Sequence, residues 1–258
     1  CFFLEQEAGM AGASHVDRPL VPHISVPTTY SGAELTPFFG MTDPVTRQKQ
    51  GAGGPTSAPI GAIYDPLLTL STPARVSAET GMNALAHCVE AAWSPRRTPE
   101  AEAIALAGTR AIATALPAVV AAPDDVDART AMLQGACLAG RCLLNAGMGV
   151  HHGLAQLVGG RTGISHGLAN AVLLAHAIRF NAEAVPDEVE RVGAALGDEG
   201  DAAGAVDRLR AAIGLPGTLS EAGVDDADLE VVARLSQSNH NVASNPRPVS
   251  EADALAIL

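Results

Sequence analysis

GMNALAHCVEA at residues 81–91 and GVHHGLAQLVGG at residues 149–160 decide how this chain is read. Residues four apart share one face of a helix, so Asn83 pairs with His87 and His152 with Gln156, each pair able to aim two polar groups at one point. His151 stands beside His152, and His166 follows in ISHGLANAVLLAH. Several imidazoles at helical spacing in an apolar setting point to a site, although any one of them alone reads equally well as a satisfied core histidine. Divalent metals take imidazole nitrogen and carboxylate oxygen. Asn83 stands where a carboxylate ligand belongs, so a divalent metal is not expected and the cluster reads as a metal-free polar site.

Outward from these segments the pattern stays helical. Amphipathic, Ala- and Leu-rich stretches run over 73–93, 99–115, 124–145, 149–158, 167–182, 187–196, 201–213 and 225–236, with Ser250 as an N-cap for the last residues. Before residue 72 the signals are shorter. PHISVPTTY (22–30) and IGAIYD (60–65) read as strands, and the Gly-rich RQKQGAGGPTSAP (47–59) reads as loop. The chain therefore divides into a strand-and-loop unit over 1–71 and an all-α unit over 72–258.

Composition narrows the function. The 258 residues are 47% hydrophobic, enough for a substantial core. Sixteen basic against 28 acidic residues leave a net charge of −12 with no basic run, which argues against a nucleic-acid partner. Cys1, Cys88, Cys137 and Cys142 form no C-x-x-C pair, in keeping with a reduced, cytoplasmic protein. No stretch reads as the ~20 apolar residues of a membrane span, so no membrane partner is expected. The start, CFFLEQEAGMAGASHVDR, lacks the pattern of a signal peptide and reads as the middle of a longer chain.

PTTYSGAELTP (27–37), IYDPLLTLSTP (63–73), GMNALAHCVEA, the HHGLAQLVGG and SHGLANAVLLAH pair, and NPRPVS (245–250) occur in an order that resembles the iron-containing alcohol dehydrogenase superfamily. Within it the series is most similar to the maleylacetate reductase branch. The resemblance implies a dehydroquinate synthase-like architecture, in which a Rossmann-like α/β domain, here partial, precedes an all-helical domain with the site between them. It places the family's metal positions on Asn83, His87, His152 and His166, as vestiges, and a family histidine on Gln156. His151 then becomes the candidate proton carrier.

The same resemblance puts Thr28, Thr29, Thr36 and Phe38 against NADH or NADPH, where their local alternative is an ordinary hydroxyl-rich turn. Arg161 and Arg247 are candidate anchors for a keto-dicarboxylate, with a surface ion pair and a proline-fixed turn as alternatives, and Gln156 is a third candidate substrate contact. The implied activity is reduction of maleylacetate and analogues to 3-oxoadipate in aromatic-compound catabolism, by a homodimer. Asn83, His87, His151, His152 and His166 would stabilise the developing enolate oxygen. Two other readings stay open: a metal-dependent alcohol dehydrogenase of the same superfamily, and a non-catalytic helical module.

Overall fold

A computed structural model describes residues 22–42, 49–54 and 57–258; the N-terminal stretch that reads as the middle of a longer chain, Cys1 included, lies outside the described residues. The architecture is built around one helix that is apolar on nearly every side. Helix α1 (Ala74–Trp93) has 20 residues, of which 16 are buried. Such a helix is stable only when surrounded. It packs against α2 (Pro99–Ala121), α3 (Val126–Ala146), α4 (Val150–Thr162), α5 (His166–Asn181) and α6 (Pro186–Leu196).

The outer helices follow local rules. Thr98, Asp125 and Ser165 cap α2, α3 and α5 by accepting from Ala101, Ala128 and Leu168 N–H groups. Helix α7 (Ala202–Ala212) lies on α5 and α6, and α8 (Asp226–Ser236) lies on α4. The short α9 (His240–Ala243), which the sequence pattern did not suggest, touches α4 as well. Helix α10 (Glu251–Ile257) closes the chain behind a capping box of Ser250 and Asp253.

Helix α2 runs six residues past the expected end at Ala115, straight through Pro117. An interior proline costs about 3 kcal/mol. Leu116 and Val119 are both fully buried, and burial worth about 1.5–3 kcal/mol each offsets that cost. This helix also corrects the expectation on membrane spans, because at 23 residues it is long and apolar enough to cross a bilayer by length and composition. Ala101, Ala105, Ile112, Leu116 and Val119 instead form a stripe buried in the core.

Ahead of α1 the expected partial Rossmann-like unit does not appear among the described residues. They hold a parallel pair of β1 (Ile24–Ser25) with β4 (Gly61–Ala62), and an antiparallel hairpin of β2 (Phe38–Thr42) with β3 (Lys49–Gly53). The Gly-rich stretch read as loop thus contributes β3. A doubly wound sheet needs helical crossovers between parallel strands, and no α-helix precedes Ala74 among the described residues. The parallel pair leaves Ile24, Ile60 and Ile63 exposed.

The loop after β1 is fastened to the helices by a buried arginine. Arg129, fully buried on α3, donates to the Tyr30 hydroxyl (2.9 Å), Ser77 Oγ (2.9 Å), the Thr72 carbonyl (3.2 Å) and the Pro123 carbonyl (2.9 Å). About three turns later, Gly140 lets the loop touch α3 backbone to backbone, since a Cβ there would lie 2.6 Å from the Gly32 carbonyl oxygen. Gly32 itself has φ +75°, a left-handed conformation suited to glycine.

Arg129→Ala is expected to lower unfolding free energy by about 3 kcal/mol or more, because it leaves a cavity and several buried oxygens without a donor. Arg129→Lys should recover only part, as an ammonium lacks the planar fork. Urea denaturation checks both; a loss within error for Arg129→Ala would refute the fastening role.

Candidate active site

Three helices deliver the site. Helix α1 presents Asn83, His87 and Glu90 along one stripe, His151 and His152 follow Val150 in the first turn of α4 after its N-cap Gly149, and α5 opens with His166. Asn83, His87, Glu90, His151 and His152 are all buried. The His87 and His152 rings stack at 4.5 Å between centroids, His151 meets His152 edge-on at 5.0 Å, and His166 lies 6.0 Å from His152. The four histidines singled out in the sequence thus fall in one cluster, and Asn83 lies one turn before His87 on α1.

Burial sets the charge state. It holds His87 and His152 well below the usual imidazole range, helped in His87 by His152 and in His152 by His166. His151 is lowered to about 4 by burial first and by His152 second. The imidazoles are therefore neutral at physiological pH and keep a lone pair each. Burial raises Glu90 from its ordinary value, against the pull of His151 and of backbone N–H groups.

Glu90 is the residue that the sequence reading missed. Its Oε1 accepts from the Gly149 N–H at 3.1 Å and the His151 N–H at 3.0 Å, and its Oε2 accepts from the His152 N–H at 3.2 Å. The same Oε2 lies 2.6 Å from His152 Nδ1. Asn245, in the NPRP segment, takes the remaining N–H of that turn from Val150 at 3.2 Å. Three residues separate His87 from Glu90, and that i, i+3 spacing was the available signal.

Other expected residues lie elsewhere. Gln156 is exposed and its Oε1 accepts from Asn241. Arg161 is paired with Asp228 at 2.7 Å in an exposed position. Arg247 lies over the Phe180 ring at 4.1 Å and donates to the Phe180 carbonyl. Thr28 is exposed, Thr29 half-buried, and the buried Thr36 donates its hydroxyl to the Ala33 carbonyl. Phe38 is 56% exposed at the start of β2.

Residues 77–258 match the sequence profile of the Fe-containing alcohol dehydrogenase family, C-terminal part. The chain belongs to this family. It is 38% identical to a maleylacetate reductase from Rhizobium sp. (strain MTP-10005), over 92% of this chain and 66% of that protein. A 1,3-propanediol dehydrogenase from Citrobacter freundii is 35% identical over 96% of this chain, with 67% of its own length covered. The crystal structure of a maleylacetate reductase from Agrobacterium tumefaciens superposes with a TM-score of 0.85 at 37% identity, covering 92% of this chain and 66% of that one. The chain spans 66% of the length of the maleylacetate reductases it matches.

The expectation that a divalent metal is unlikely is corrected by these findings. The family is iron-containing, and Glu90, His151 and His152 bring potential ligand atoms within 4.8 Å of one another. The remainder of the cluster fits a cation as well. Asn83 Oδ1, His87 Nδ1 and His152 Nε2 are buried without a hydrogen-bond partner among the described residues, a state that costs about 1–3 kcal/mol for each group and that a bound cation relieves. Asn83 donates its Nδ2 to the Ser31 carbonyl at 3.4 Å, which leaves the oxygen as its ligand atom. The sequence argument failed because it asked for the negative charge at position 83, whereas the carboxylate of this site belongs to Glu90.

In chelated protein, stability is expected to fall as pH drops from about 6.5 toward about 4. The unfolded histidines take up protons near their ordinary value while the buried ones stay neutral, so protonation favours the unfolded chain by up to about 1.4 kcal/mol per pH unit for each imidazole. Glu90, with its raised value, opposes this with one proton against the three of His87, His151 and His152. Urea midpoints across that range test it; midpoints that rise on acidification would contradict neutral burial. Gly149→Ala should destabilise by about 2 kcal/mol, because the added Cβ would lie 2.9 Å from both Glu90 Oε1 and Asn245 Oδ1. Unchanged thermal unfolding of that variant would show that the close approach does not matter.

Proposed function

We propose that this chain forms the site-bearing helical part of a cytoplasmic NAD(P)H-dependent oxidoreductase that reduces maleylacetate or a closely similar keto-dicarboxylate. The observation that carries the reading is the 38% identity to a maleylacetate reductase along 92% of the chain, combined with a buried cluster of neutral imidazoles. Hydride addition to the double bond conjugated with the ketone moves negative charge onto the ketone oxygen. A divalent metal held by Asn83, His87, His152 and His166 would supply Lewis-acid stabilisation of that charge.

The chain's own contribution is the setting. Burial of the cluster lowers the local dielectric and strengthens every charge interaction in it. The Ser31 carbonyl turns the Asn83 amide, and the stacked His87 and His152 rings limit each other's rotation. Thr28 and Thr29, on the loop held by Arg129, are the proposed nicotinamide-side contacts. Anchoring of substrate carboxylates by Arg161 or Arg247 would exchange their present contacts with Asp228 and the Phe180 carbonyl for the substrate.

A diol dehydrogenase is the second reading, favoured by 35% identity to the Citrobacter freundii protein. The polypeptide of the whole reading frame separates the two when assayed for NADH oxidation with maleylacetate and NAD⁺ reduction with propane-1,3-diol. Maleylacetate should be preferred, and chelation should abolish the rate until Fe²⁺ or Zn²⁺ is returned. His87→Ala and His166→Ala should each lose about 100-fold or more in kcat. Turnover of the diol without turnover of maleylacetate would overturn the assignment.

A further inference from the structure

We infer that Glu90 and His151 are positioning residues that hold the ring proton of His152 on Nδ1 and thereby present its Nε2 as the lone-pair donor of the site. The inference deepens the reading of the cluster as a ligand site and rests on it. It begins at Asn170 on α5, whose carbonyl lies 2.9 Å from His151 Nε2. A carbonyl only accepts, so His151 carries its proton on Nε2, and in a neutral ring its Nδ1 is then a bare acceptor.

That bare Nδ1 faces His152 Nδ1 at 3.3 Å. Two lone pairs do not attract at this distance, so the hydrogen between the rings belongs to His152. Glu90 reaches the same conclusion independently. Its Oε2 lies 2.6 Å from His152 Nδ1, and its two oxygens already accept three backbone N–H groups, so the carboxylate stands in this turn as an acceptor. The His152 Nδ1–H is thus aimed at Glu90 with the His151 lone pair beside it.

His152 Nε2 is left with its lone pair, buried and without a hydrogen-bond partner among the described residues. The opposite tautomer would set three lone pairs against one another at Nδ1 and turn an N–H into the cluster, where a cation must bind. His151, expected as a proton carrier, has both ring nitrogens engaged inside the protein. It acts through His152 rather than on substrate.

The tautomers are read by NMR on isotope-labelled histidine nitrogens in metal-free protein, without cofactor or substrate, so the result is independent of the reductase assignment. The expected pattern is a protonated Nδ1 and bare Nε2 in His152, and the reverse in His151. Glu90→Gln, whose amide can donate toward Nδ1, should move the His152 proton to Nε2. It should weaken Co²⁺ binding roughly 10- to 100-fold, with the visible spectrum at saturation unchanged. Glu90→Asp should keep the wild-type tautomer.

A protonated Nε2 on His152 in the wild-type protein would overturn the inference whether or not any variant folds. So would a Co²⁺ spectrum that changes coordination in Glu90→Gln, since that would make Glu90 a ligand. Unaltered Co²⁺ affinity in the same variant would also count against it.

Discussion

Four backbone N–H groups at the start of α4 have no acceptor within their own helix, and the site depends on how they are satisfied. Glu90 takes those of Gly149, His151 and His152, and Asn245 takes that of Val150. Leaving them buried and unpaired would cost about 1–3 kcal/mol each. Both acceptors come from distant parts of the chain, α1 and the segment before α10. The cap therefore ties helix to helix as well as completing α4. The carboxylate also sits at the positive end of the α4 dipole, which works against the rise that burial causes in Glu90.

A second constraint fixes the other wall. Asn83 can offer its oxygen inward only while its Nδ2 is held by Ser31, and Ser31 belongs to a loop with little regular structure. Arg129 holds that loop through Tyr30, while Thr72 donates its hydroxyl to the Thr28 carbonyl at 2.6 Å. The glycine contact at Gly32 and Gly140 removes the remaining slack. Asn245 also pairs reciprocally with Asn181 on α5, so α1, α3, α4 and α5 are each bound to the site by at least one buried polar contact in addition to apolar packing.

Much of this was legible in the residues, because period and punctuation govern helices. The eight long helices fall on the stretches marked by Ala/Leu periodicity, and Ser250 caps the short α10 as its position suggested. The i, i+4 relation of Asn83 and His87 holds on α1, where both are buried. The same relation does not carry Gln156 in with His152, since Gln156, one turn farther along α4, is exposed and accepts from Asn241. Pro117 misled because a local rule yields to the burial of Leu116 and Val119. Glu90 escaped notice since its partners are backbone N–H groups, which no side-chain pattern displays. For the same reason Arg247 was singled out in NPRP and Asn245 was not, although Asn245 caps a helix and Arg247 rests on Phe180.

The placement of charge explains how an asparagine can occupy position 83 in an iron-containing family. Asn83, His87, His152 and His166 would form a wholly neutral ligand set, which alone compensates none of a cation's charge. Glu90 supplies a negative charge one hydrogen bond farther out, through the imidazole of His152. An acceptor behind a histidine raises the basicity of the nitrogen that faces the metal, so part of the carboxylate's effect reaches the site without its oxygen entering the ligand shell. Position 83 is thereby released from carrying charge. What it must do is present an oxygen at a fixed angle, and an amide held by the Ser31 carbonyl does so in a way that a carboxylate, which cannot donate to that carbonyl, would not.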